Sequence, residues 1–172
     1  EELKQEYGES VHFVTKEEAA RTSDIVVCAM NLTRSPDSRL YNVNYFSEEY
    51  LSSFQKNFVF VNVTRGDIAP ESTLLDLYNS GKILGLDVFS DEEGFEKALN
   101  GHEKWNEEDR IAAKVLMDHA INRTGNVYVQ PHQAFNSDVA AKSKAANTIS
   151  HMIAWYQNGK THFDEQLPYY HE

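Results

Sequence analysis

Cysteine and basic residues are scarce in this 172-residue chain, and each shortage closes a class of explanation. Cys28 is the only cysteine. It lies inside the apolar run Ile25-Val26-Val27-Cys28-Ala29, where a small buried hydrophobe is expected rather than a nucleophile. An internal disulfide is excluded, which fits a reducing, cytoplasmic setting. Lys and Arg total 16 against 27 Asp and Glu, a net charge of -11 with no basic stripe to reverse it locally, so a nucleic-acid partner is not expected. No apolar stretch approaches the roughly 20 residues that span a bilayer, and no membrane partner is expected. Glu1-Glu2-Leu3-Lys4 has the pattern of neither a signal nor a transit peptide. His/Cys clusters at metal spacing, HExxH, paired CxxC, P-loop and GxSxG patterns are all missing, so no metal is expected. Also missing is a Gly-x-Gly-x-x-Gly turn after any strand-like run.

What is present alternates between short apolar runs and helix-like segments. Val11 to Val14 reads as a short strand, and Thr15-Lys16-Glu17-Glu18 has the form of a capping box. Asp24 to Ala29 reads as a strand buried on both faces. Ser47 caps a short helix through Phe54, and 58–63 is the next strand. Pro70 and Gly81 bracket a helix, 83–89 is a strand, and the polar stretch from Ser90 to Gly125 contains a helix centred on Ile111 to Ala120. Val127 to Val129 is a last strand, followed by a long helix over 137–159. Strands alternating with crossover helices predict βαβ units, hence an α/β fold with a mostly parallel sheet. In such sheets ligands bind outside the carboxyl ends of the strands.

Three strand ends carry residues suited to one reaction. Arg65 follows a strand and precedes Gly66, which allows a tight turn; its planar fork matches a carboxylate. His132 follows Pro131 and can exchange a proton with an alkoxide or alcohol near neutral pH. Glu92 can hydrogen-bond the imidazole and stabilise the imidazolium, but Asp91 and Glu93 flank it and spacing alone does not choose among the three. Asp87 can face a cofactor or simply end its strand. The other six histidines lack comparable context and read as surface residues.

In the order Asn62-Val63-Thr64-Arg65-Gly66, then Asp87-Val88 with Glu92 beyond, then Pro131-His132, these segments resemble the D-isomer-specific 2-hydroxyacid dehydrogenases. Ser23 to Val27 and Leu32-Thr33 resemble that family's strand and loop beside the nicotinamide. Pro131-His132-Gln133-Ala134-Phe135 and the long insert before it look most like the D-lactate dehydrogenase branch. The resemblance implies a Rossmann-like domain that uses NAD to reduce a small 2-keto acid. Arg65 would bind substrate, His132 would be the acid/base and Glu92 its partner. Ala29, Met30, Asn31, Thr64, Arg65, Asp87 and His132 would line the cofactor pocket, and Phe135 would touch the substrate side chain. A dehydrogenase-fold, NAD-sensing regulatory or corepressor-type protein without turnover is the alternative.

The chain departs from the pattern at Asn31, where proline is usual, in extra residues between Thr33 and Asn42, and in the shorter Gly85-Leu86-Asp87 link. The missing glycine fingerprint predicts a partial domain lacking its first βαβ part. Residues 1–172 would then be the C-terminal portion of an NAD-binding domain, with 160–172 a tail towards an absent catalytic domain. A doubly wound sheet without its first strand would have a gap at its centre. Homodimerisation, or association with the missing N-terminal portion, is therefore expected.

Overall fold

The structure, a computed structural model of the chain, describes residues 7–104 and 107–160. Among these, four strands alternate with six helices: α1 (Lys16–Thr22), β1 (Ile25–Cys28), α2 (Glu48–Ser52), β2 (Val59–Asn62), α3 (Glu71–Asn79), β3 (Ile83–Leu86), α4 (Glu92–Leu99), α5 (Glu108–Ile121), β4 (Val127–Val129) and α6 (Asp138–Gln157). The strands form one parallel sheet in the order β1-β2-β3-β4. This is the Rossmann-like α/β architecture that the alternation predicts.

Local chemistry explains most element ends. Thr15 Oγ1 accepts from Glu18 N–H at 3.2 Å to start α1, Ser47 Oγ accepts from Tyr50 N–H at 3.3 Å to start α2, and Ser137 Oγ accepts from Ala140 N–H at 3.1 Å to start α6. Each satisfies an N–H that a helix start would otherwise leave unpaired. Gly81 ends the α3 segment at φ 88°, a left-handed conformation that favours glycine.

Alternation along the strands sends Cys28, Phe60, Asn62, Leu84, Leu86 and Val127 to one buried face. Leu74 and Leu77 of α3 and Ala113 and Leu116 of α5 join this core. Each such large apolar side chain contributes roughly 1.5–3 kcal/mol by leaving water. The opposite face carries the same residue types but stands open, with Ile25, Val27 and Tyr128 at 64%, 54% and 67% exposure. No residue of α6 is buried.

Four expectations need correction. The 24–29 run is buried on one face only, since Ile25 and Val27 stand exposed on the other. Val11 to Val14 is not a strand: Phe13 and Val14 are exposed, and no neighbouring strand among the described residues supplies a hydrogen-bond ladder. The sheet has no central gap, because β1 is an edge strand and β1 to β4 pair in unbroken sequence order. The 83–89 run stops at Leu86 as a strand, since Asp87, Val88 and Phe89 are all buried and leave the in-out alternation. A helix the sequence reading passed over, α4, begins at Glu92; Asp91 Oδ1 caps it by accepting from Gly94 N–H at 3.1 Å. Of the expected tail, 160–172, all but Lys160 lies outside the described residues. No helix among the described residues is long and apolar enough to cross a membrane.

Candidate active site at the carboxyl edge of the sheet

At the end of β2 the buried Asn62 builds the turn that presents Arg65. Its Oδ1 accepts from the Thr64 N–H and hydroxyl, both at 3.1 Å, and its Nδ2 donates to the Arg65 carbonyl at 3.0 Å. Side-chain amides commonly stand in for backbone turns in this way. Cys28 Sγ lies 3.2 Å from Thr64 Oγ1 and ties the same turn to β1. Arg65 itself is exposed, with Nη1 donating to the Thr64 carbonyl at 2.7 Å.

Gly66 is required for a reason different from the one expected. It lies outside the left-handed region, but a Cβ there would stand 2.0 Å from both the Phe89 carbonyl carbon and the Ser90 nitrogen. The loop after β2 therefore lies directly against the loop after β3, and only glycine permits that approach.

The β3 end holds His132 in place. Asp87 is buried, and its carboxylate accepts from the Gln133 N–H at 2.7 Å and the Ala134 N–H at 3.0 Å; its carbonyl accepts from the His132 N–H at 2.8 Å. His132 adopts φ 51°, a sparsely populated conformation for a non-glycine residue that such bonds can sustain. Its Nδ1 lies 3.1 Å from Glu92 Oε2, and the Phe135 ring stands edge-on at 5.7 Å. A carboxylate at Nδ1 fixes the tautomer and leaves Nε2 as the nitrogen available to a reacting group.

The three adjacent acids have three partners. Asp91 pairs with Arg110, whose guanidinium holds the Asp91 carboxyl below its usual range. Glu93 pairs with Lys97 at 2.6 Å, one helical turn on. Only Glu92 reaches His132. Glu92 is the first residue of α4, so its direction is set by a helix that the sequence reading missed.

The remaining candidates lie at the β1 end. Ala29 and Asn31 are exposed and Met30 is half-buried. The Asn31 carbonyl accepts from Asn42 Nδ2 at 2.6 Å, while Asn42 Oδ1 accepts from the Thr33 N–H at 2.7 Å, which braces the loop 31–42. Arg34 pairs with Asp67 at 3.1 Å and joins that loop to the turn after Arg65. The structure thus brings Glu92 and His132 into direct contact. Arg65 stands at the neighbouring strand end, coupled to them through Gly66 against Phe89 and Ser90. Among the described residues no group of three or more His, Cys, Asp or Glu side chains is placed to hold a metal ion.

Comparison with known proteins bears on this geometry. Residues 1–134 match the family model described as "D-isomer specific 2-hydroxyacid dehydrogenase, NAD binding domain". The chain is 37% identical over 82 residues to the Homo sapiens glyoxylate reductase/hydroxypyruvate reductase, a stretch covering 46% of this chain and 23% of that protein. Its fold is similar to a D-lactate dehydrogenase from Aquifex aeolicus complexed with NAD and lactic acid, at TM-score 0.64 and 23% identity over 84% of this chain and 40% of that one. A D-lactate dehydrogenase from Sporolactobacillus sp. matches at TM-score 0.68 and 23% identity, over 95% of this chain and 45% of that one. The chain spans less than half the length of these relatives.

Proposed function

The chain belongs to the NAD-binding domain family of the D-isomer-specific 2-hydroxyacid dehydrogenases, and from that premise we propose that it carries the acid/base half of a site that reduces small 2-keto acids of the pyruvate type. The observation that carries this reading is the His132 Nδ1–Glu92 contact at 3.1 Å. A histidine oriented through Nδ1 by a carboxylate presents Nε2 for proton transfer. In the proposed reaction NADH, when bound, supplies hydride to the substrate carbonyl carbon. His132 Nε2 gives its proton to the carbonyl oxygen, so the ketone becomes an alcohol. Arg65 holds the substrate carboxylate and polarises the carbonyl. Glu92 stabilises the imidazolium before transfer.

In this reading the nicotinamide end of NAD is assigned to Ala29, Met30, Asn31, Thr64, Arg65 and His132 at the strand ends, with the buried Asp87 serving through the His132–Ala134 backbone that it holds. No Gly-x-Gly-x-x-Gly turn is present in the 172 residues to cradle the pyrophosphate, so the reading places those contacts outside this chain's residues. Phe135, more than half exposed beside His132, suits a contact with a small apolar substrate side chain. Residues 1–172 act in this reading as the C-terminal portion of the cofactor-binding domain of a cytoplasmic enzyme. The open sheet face supports association with the rest of that domain or with a second copy, since parallel sheets are normally covered on both faces.

The experiment is pyruvate-dependent NADH oxidation by the protein expressed from its complete reading frame. The wild type turns over, and His132→Ala is about 10²–10⁴-fold slower. Wild-type activity no higher than that of His132→Ala overturns the enzyme reading in favour of a nucleotide-sensing protein without turnover.

A further inference from the structure

Glu71 takes no part in the chemistry above, yet it is a carboxylate only 1% exposed. It is the first residue of α3, just beyond the turn that follows Arg65. Its Oε1 accepts from the Ser90 N–H and its Oε2 from the Ser90 hydroxyl, both at 2.6 Å. Ser90 is the residue against which Gly66 leaves no room for a Cβ. Two positions further on stands Glu92, whose Oε1 is 3.4 Å from the Phe89 N–H and whose Oε2 meets His132.

We propose that Glu71 is a positioning residue for the His132–Glu92 pair: by gripping both donors of Ser90 it fixes the Phe89–Asp91 segment, so that α4 starts where Glu92 faces Nδ1. A merely structural clamp does not need a charge, because a buried carboxylate is costly and a neutral side chain could bond the same serine. Burial pushes Glu71 up to about 7; the Ser90 bonds offset part of that rise and the nearby Asp109 carboxylate adds to it. The charged groups facing Glu71 are Asp109 and Arg110 of α5 and Asp91 at the start of α4. Asp109 accepts from the Ser72 N–H at 2.8 Å, and Arg110 is paired with Asp91. Near neutral pH the grip on Ser90 therefore changes its proton count, and the segment leading to Glu92 responds.

This inference rests on the reading of His132 and Glu92 as a working pair, but its test requires neither cofactor nor substrate, so the two fail separately. The measurement is a pH titration by nuclear magnetic resonance on the 172-residue chain. It follows the Glu71 carboxyl carbon, the Ser90 and Phe89 amides and the His132 ring nitrogens. The carboxyl carbon and both amides share an inflection near pH 7, which persists in His132→Gln and disappears in Glu71→Gln. In Glu71→Ala the His132 Nδ1 signal moves towards its position in Glu92→Gln. A folded Glu71→Ala chain with the His132 signal unmoved overturns the proposal. Should that variant fail to fold, Ser90→Ala removes only the hydroxyl bond and displaces the His132 signal by a smaller amount; no displacement there overturns the proposal equally.

Discussion

The front and the rear of the candidate site are built on opposite terms. At the front, Arg65, Glu92 and His132 are open or half-open to solvent, each with few bonds of its own. At the rear, Asn62, Glu71 and Asp87 are at most 5% exposed, and each spends its side chain on backbone or hydroxyl groups of a neighbouring loop. On the proposed reading the front residues carry the chemistry and the rear residues set where it stands. Stability and activity should therefore separate along this line, because buried polar groups are costly to leave unpaired while exposed ion pairs contribute little.

The largest effect on the fold should come from the contact that joins two strand ends. Gly66→Ala puts a methyl group into the Phe89–Ser90 backbone, which cannot move aside as a flexible side chain would. A loss of about 3 kcal/mol or more is expected in denaturant unfolding, at the upper end of overpacking costs. An effect of comparable size, but dependent on pH, belongs to Glu71. Its carboxyl is raised in the folded protein from 4.5 to about 7, so the folded state holds a proton that the unfolded state has released. That stabilising contribution is fully present below about pH 4.5 and fades as pH rises through 7. Relative to Glu71→Gln, the wild type should lose on the order of 3 kcal/mol across that window; parallel stability curves for the two proteins would contradict the rear-face account. The smallest stability effects should be at the front, where Arg65→Gln and Glu92→Gln stay within about 0.5 kcal/mol of wild type. A loss as large as that of Gly66→Ala would erase the distinction between front and rear.

The front was more legible in the sequence than the rear, for a physical reason. Arg65 and His132 follow apolar runs that had to be strands, so their place at the carboxyl edge followed from the alternation of strands and helices. Caps such as Thr15 and Ser47 were equally readable, because a cap acts over three residues. Glu71 opens a helix and reads as an ordinary first-turn acid; its partner Ser90 is 19 positions away. Glu92 could not be told from Asp91 and Glu93, since His132 lies 40 positions further on and the acids are sorted by Arg110 and Lys97. The error at Val11 to Val14 has the same origin. Apolar residues permit a strand, but a neighbouring strand must be present to make one.

The central claim is that Glu92 acts through His132. A double-mutant cycle on kcat/KM for pyruvate reduction, with Glu92→Gln, His132→Gln and the double variant, tests it most directly. If the two side chains work as one unit, each single variant is strongly impaired and the double variant is no slower than His132→Gln alone. Losses that multiply in the double variant would contradict the account, because Glu92 would then contribute independently of the imidazole it touches.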